Sequence, residues 1–160
     1  MIYILIVLTI VIGEYFIKDH IEAKKKLGER QEIFNGRIII RKHHNEGAFL
    51  NFLDEKKELL KTISGVMLVI ISLLFLILLP AKGKKLLKLG LAFTLGGAIS
   101  NVADRLKRGY VVDYFSFNCK KLKSIIFNLS DMAIFLGSAF LLLSSLFPAK
   151  CKRGADQSAK

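Results

Sequence analysis

Four acidic residues stand where an apolar chain has little reason to keep them. Glu14, Asp104 and Asp131 lie within or at the edge of apolar blocks, and Asp113 follows the strand-like run Tyr110-Val111-Val112. An ionisable side chain at membrane depth costs about 2.5–3.5 kcal/mol, so a chain that retains one either pairs it or uses it. Two neighbouring carboxyl groups cannot both be charged at short range and therefore share a proton. The ionised member can take a proton from water while the neutral one hydrogen-bonds a carbonyl oxygen. That is aspartic peptidase chemistry, and it requires neither a metal nor an organic cofactor.

Spacing alone lets Asp131 pair with Asp104 or with Asp113. Asn101-x-x-Asp104 and Asn128-x-x-Asp131 each set an amide and a carboxylate three residues apart, on one face of a helix. Asn donates to a carboxylate and accepts from a carboxylic acid, which suits a site whose protonation changes. The plainer reading is that such pairs glue helices together. Asp104 has Arg105 beside it, and a salt bridge to a basic neighbour would hold it permanently charged. Asp113 is the member freer to keep a proton. No HExxH, GxSxG or Cys–His arrangement points to other hydrolytic chemistry. His43 and His44 are adjacent, so on a strand their rings face opposite ways, which disfavours a metal site.

The elements that must carry these residues follow from hydropathy. The chain has 160 residues, 52% of them hydrophobic, and a mean hydropathy of +0.44. A membrane span takes about 20 apolar residues. Four blocks approach this, predicting helices at about 1–17, 62–81, 86–104 and 125–147. Lys88, near one end of the third, has a stem long enough to snorkel to the interface. Met1 to Gly13 lacks the basic start and small-x-small site of a secretory signal and reads as a retained first helix. In the first loop, Asn35-Gly36 between Phe34 and Ile38-Ile39-Ile40 is a strong hairpin signal. Residues 48–52 could add a strand. The expected fold is an all-α membrane protein of four spanning helices, with a small extramembrane antiparallel sheet from the outer loop at about 28–55. It forms a single membrane domain over 1–149, followed by a polar tail at 150–160.

The net charge of +12 would suggest nucleic acid in a soluble protein. No nucleic-acid motif accompanies it, and basic loops beside anionic headgroups account for it. The short basic second loop and the basic tail place both termini in the cytoplasm. All four acids then gather at the outer face, with Cys119 outside and Cys151 inside.

At these residues the sequence resembles the lipoprotein signal peptidases, or signal peptidase II. His44-Asn45-Glu46-Gly47-Ala48-Phe49 is similar to the family's Asn-x-Gly-Ala stretch. Gly96 to Arg105 is similar to its Gly-Gly-Ala…Asn-x-x-Asp-Arg signature, which Gly109 to Tyr114 continues, and Phe127-Asn128-Leu129-Ser130-Asp131 resembles its closing Phe-Asn-x-x-Asp. The resemblance implies an enzyme of the bacterial cell membrane, a monomer among lipids. It would remove signal peptides from prolipoproteins whose cysteine carries a diacylglyceryl group. It implies Asp113 and Asp131 as the catalytic pair, Asn45, Gly47, Asn101, Arg105 and Asn128 as residues that shape the site or hold substrate, and Asp104 as scaffold. Two positions depart from the pattern. Glu14 precedes Lys18 where the family usually has Asp, and Ser100 precedes Asn101 where Gly is usual. A small proton-coupled exporter, or a scaffold with all its acids paired, would share the apolar blocks but not these motifs.

Overall fold

The computed structural model describes residues 1–47, 57–119 and 122–147. The expected strand at 48–52, Cys151 and the polar tail lie outside these residues. In chain order the elements are α1 (Ile2–Lys24), β1 (Arg30–Ile33), β2 (Ile38–Asn45), α2 (Lys57–Leu78), α3 (Lys85–Arg108), β3 (Val111–Phe117) and α4 (Leu129–Leu146). Three helices, α2, α3 and α4, are long and apolar enough to cross a membrane. The fourth, α1, is comparably long, but Glu14, Lys18 and Asp19 interrupt its apolar run. It also continues past the apolar block to Lys24, which places Glu14 in its interior rather than at the helix end.

The central helix is α3, which packs against α1, α2 and α4. Small residues allow the close approach. A Cβ on Gly96 would meet Ile10 of α1 at 3.0 Å, and one on Gly97 would meet the Ser130 carbonyl oxygen of α4 at 2.4 Å. Lys88 does not snorkel outward. It is buried, donates to the Leu79 carbonyl at 2.7 Å and lies over the Tyr3 ring. A carbonyl left over at the end of α2 thereby gains a partner, which meets the same need as an exposed interface would.

The sheet has the order β1-β2-β3, with both pairings antiparallel. The first two strands form the expected hairpin. Arg37 N donates to Phe34 O, and Phe34, Asn35 and Gly36 all have positive φ, a left-handed backbone that Asn and Gly adopt most readily in tight hairpin turns. The third strand comes from the loop after α3 and not from the first loop. Gly109, at φ 83°, ends α3 in the left-handed conformation and turns the chain into β3. After β3 the chain loops out and returns, and Phe127 pairs with Phe115 through N–H···O bonds of 2.7 and 3.0 Å. That return sets Asn128, the next residue, beside Asp113 and Tyr114.

Two hydrophobic clusters result. One, around Val7, Phe75, Leu91, Ala92 and Leu95, fills the helix bundle. The other, around Ile21, Val112, Tyr114, Phe115 and Phe127, lies beneath the sheet. Along α1, Glu14 and Lys18 fall between Val7 and Ile21. Along α3, Ser100, Asn101 and Asp104 fall between Leu95 and the start of β3. The polar residues thus occupy the layer between two apolar cores.

Candidate active site

Asn128 joins the two carboxylates that the sequence singled out. It is fully buried and caps α4. Its side-chain amide donates to Asp113 Oδ1 at 2.7 Å, its side-chain oxygen accepts from Asp131 N at 2.9 Å, and its backbone N–H donates to Asp131 Oδ2 at 3.1 Å. The last two bonds make a reciprocal capping box. Each carboxyl group has a second amide partner. Asn45 Nδ2 donates to Asp113 Oδ2 at 2.9 Å, and Asn101 Nδ2 donates to Asp131 Oδ1 at 2.9 Å. Four elements therefore converge on the pair: β2, α3, β3 and α4. Asp131, in the first turn of α4, is less deeply embedded than its place in an apolar block suggested. The helix begins at Leu129 rather than 125 because the Asn128 cap starts it there.

Asp113 is 1% exposed. Burial first, and the neighbouring Asp131 charge second, push its carboxyl up to about 7, against the pull of the Asn45 and Asn128 hydrogen bonds. It therefore holds a proton up to near-neutral pH and loses it above. A carboxylic acid and a carboxylate tied to one asparagine can give and take a proton in the same cycle.

Asp104 belongs to a different network. Its Oδ2 lies 3.1 Å from Lys18 Nζ and accepts from Val112 N at 3.2 Å, and its Oδ1 takes Arg108. Arg108 also reaches Asp19. The salt-bridge partners of Asp104 are thus Lys18 and Arg108, not the adjacent Arg105, because residues four apart share a helix face and adjacent ones do not. Asn101, three residues before Asp104 on the same face, also meets Lys18, and its amide donates across to Asp131 on α4 instead of to Asp104. Lys18, 1% exposed, ties the two networks together. Its ammonium reaches Asn101 Oδ1 at 2.9 Å, Ser100 Oγ at 3.0 Å and Glu14 Oε2 at 3.5 Å. A buried cation needs such a full set of partners, since an unpaired one costs several kcal/mol.

Glu14 reaches beyond Lys18. Its Oε2 accepts from Ser130 N at 3.1 Å and Ser130 Oγ at 2.7 Å, and its Oε1 accepts from Tyr114 OH at 2.5 Å. Burial, with the Glu14 charge next, pushes the Tyr114 phenol well above its usual pKa, so it remains a donor. Tyr114 and Ser130 escaped the sequence reading. Each adjoins a candidate aspartate and lies within a motif stretch that the sequence reading quoted without giving it a role.

Arg105 lines a cavity of about 420 Å³ with Glu46, Lys57, Lys61, Arg108 and Tyr110. Its charge acts on both Asp113 and Asp131. Among the described residues, Arg105 Nε and Asn45 Oδ1 are buried without a hydrogen-bond partner. Gly47 is buried just beyond β2. His44, next to Asn45, hydrogen-bonds Glu22 of α1 at 2.6 Å and stacks on Tyr110, which fixes the end of β2.

The signal peptidase (SPase) II family profile matches residues 5–147. The chain belongs to the signal peptidase II family. The lipoprotein signal peptidase of Brevibacillus brevis is 32% identical over 94% of this chain and 99% of its own length. That of Lactiplantibacillus plantarum is 31% identical over 91% of this chain and 94% of its own. A solved bacterial membrane enzyme shares the fold, with a TM-score of 0.77 and 24% identity over 92% of this chain and 94% of its own. This signal peptidase II family member is therefore a peptidase and a multi-pass membrane protein. Its two departures from the family pattern meet at one atom, because Glu14 and Ser100 both contact Lys18 Nζ.

Proposed function

We propose that this chain is an intramembrane aspartic endopeptidase. It removes the signal peptide of diacylglyceryl-modified bacterial prolipoproteins, cutting before the lipidated cysteine. The observation that carries this reading is the bridging of Asp113 and Asp131 by Asn128, with burial holding a proton on Asp113 near neutral pH. Ionised Asp131 takes a proton from water, the resulting hydroxide equivalent attacks the scissile carbonyl, and Asp113 donates its proton to the carbonyl oxygen. Collapse of the tetrahedral intermediate returns that proton to Asp113, and Asp131 passes its own to the departing amine. The free Oδ1 of Asn45 is suited to accept a substrate peptide N–H, and Arg105, lining the adjoining cavity, to hold a substrate carbonyl.

In this reading α1 also crosses the bilayer, making four spans, with both termini cytoplasmic and the dyad at the outer face. The acyl chains hold the scissile bond at that interface, and the protein acts as a monomer among lipids. Purified protein in lipid is offered a diacylated and an unlipidated precursor, with and without a strong chelator. The expected result is cleavage of the diacylated precursor alone, unaffected by the chelator. Activity lost to the chelator and restored by zinc would remove the aspartic mechanism.

A further inference from the structure

The first turn of α4 carries Asp131, and its backbone N–H groups have no partners within the helix. The structure accounts for each of them. Asp131 N donates to Asn128 Oδ1. Ser130 N donates to Glu14 Oε2, and Leu129 N donates to Tyr114 OH at 3.1 Å. Only the first of these partners belongs to the α4 cap itself. The other two come from α1 and β3, more than a hundred and about fifteen residues away in sequence. They are also bonded to each other, since Tyr114 OH donates to Glu14 Oε1 while accepting from Leu129 N. Ser130 Oγ supplies a further bond to Glu14. Glu14, Tyr114 and Ser130 are all buried.

A carboxylate at the N-terminus of a helix is favoured by the helix dipole. Supplied from another helix, it also fixes where that N-terminus sits and how it is rotated. Asp131 is one residue beyond Ser130, so a rotation of this turn swings its carboxylate away from Asn101 and from Asp113. Tyr114 is one residue beyond Asp113, so the same phenol ties the strand carrying one carboxyl group to the helix carrying the other. We infer that Glu14, Tyr114 and Ser130 form a buried clamp that sets the aim of Asp131 toward Asp113, making Tyr114 and Ser130 positioning residues for the peptidase reaction. The inference rests on the reading of Asp131 as catalytic.

The clamp acts on geometry within the dyad and touches no substrate. Its loss therefore lowers kcat and leaves KM for the diacylated precursor unchanged, whereas a purely structural role would reduce the folded fraction and leave turnover per folded molecule alone. Tyr114→Phe removes one hydroxyl and Ser130→Ala another, both keep the Ser130 N–H bond to Glu14, and kcat is read per folded molecule. A misplacement of an ångström or less in a reacting group costs about tenfold to a hundredfold in rate. Tyr114→Phe is expected to lower kcat per folded molecule about tenfold and Ser130→Ala by less. The double variant Glu14→Gln/Tyr114→Phe should fall short of the product of the two single losses, because both residues hold the same turn. Asp131→Asn is measured alongside. A dead Asp131→Asn together with unchanged kcat in Tyr114→Phe and Ser130→Ala would overturn the clamp alone, as would strictly multiplicative losses. An active Asp131→Asn would overturn the catalytic reading of Asp131 and the clamp with it.

Discussion

A carboxyl group with its proton held to near-neutral pH differs from a carboxylate locked to cations, and the site contains both kinds. Among the described residues, Asp113 accepts from the neutral amides of Asn45 and Asn128, while Asp104 faces Lys18 and Arg108. Asp113→Asn and Asp131→Asn are each expected to abolish cleavage while insertion and thermal melting stay near wild type. For Asp113 the sign supports this. Its folded pKa lies above its unfolded one, so ionisation opposes folding as pH rises from about 4 toward 7, and a neutral amide there removes that opposition. The same proton sets an alkaline limb, with kcat/KM falling as pH rises through about 7. A profile flat to pH 9 would separate Asp113 from catalysis. Asp104→Asn strands part of the charge of buried Lys18 and of Arg108. Its expected cost is about 3 kcal/mol in unfolding free energy, with residual turnover in the molecules that fold. Well-folded but inactive Asp104→Asn, beside active Asp113→Asn, would exchange their roles.

Helices and strands bring these residues together by close approach, and Gly97 is where α3 and α4 approach most closely beside the site. A Cβ there would overlap the Ser130 carbonyl oxygen at 2.4 Å and Ile134 Cγ1 at 2.8 Å, and backbone has little room to yield. Gly97→Ala must push α4 outward, stretching the 2.9 Å bond from Asn101 to Asp131. The expected outcome is a lower melting temperature, by the equivalent of about 1–3 kcal/mol, and a kcat reduced at least tenfold, the order set by sub-ångström misplacement. Gly13→Ala is the control, since nothing lies within 4 Å of its added methyl. Alanine also favours helix by about 1 kcal/mol over glycine, so this variant should be as active and at least as stable. Equal effects of the two substitutions would mean that the α3–α4 contact does not position the site.

For the molecule as a whole, the direction of insertion decides which compartment the dyad faces. Cys119 is exposed in the loop beyond β3, on the side of the sheet and the site. With the proposed orientation, a membrane-impermeant maleimide added to intact cells should label Cys119 and leave Cys151 unlabelled until the membrane is opened. Labelling of Cys151 in sealed cells would invert the topology and move the dyad to the cytoplasmic side. The apolar exteriors of α2 and α4, with only Leu60 and Phe75 buried on α2 and Ser130, Ala133 and Gly137 on α4, suit a lipid surround.

Hydropathy by itself determined the apolar helices, and turn chemistry determined the hairpin, because both rest on residues close in sequence. Asn35-Gly36 needs no distant partner to turn the chain, and the apolar run of α2 needs none to prefer lipid. Asn128 and Asp131 were likewise legible as a pair, since three residues span one turn. What only the tertiary structure decided were the partners. Asn101 and Asp104 looked like a second such pair, but they do not bond each other: both meet Lys18, and the Asn101 amide also reaches across to Asp131. The choice between Asp104 and Asp113 as neighbour of Asp131 depended on the return of the chain at Phe127, where backbone bonds to Phe115 set Asn128 against β3. The run Tyr110-Val111-Val112 was legible as strand-like, but its pairing with β2 and the grip of Glu14 on α4 were hidden for the same reason. A hydrogen bond is directional and short-ranged, so the partner of a buried polar group is set by which elements pack together, and local sequence spacing does not encode that.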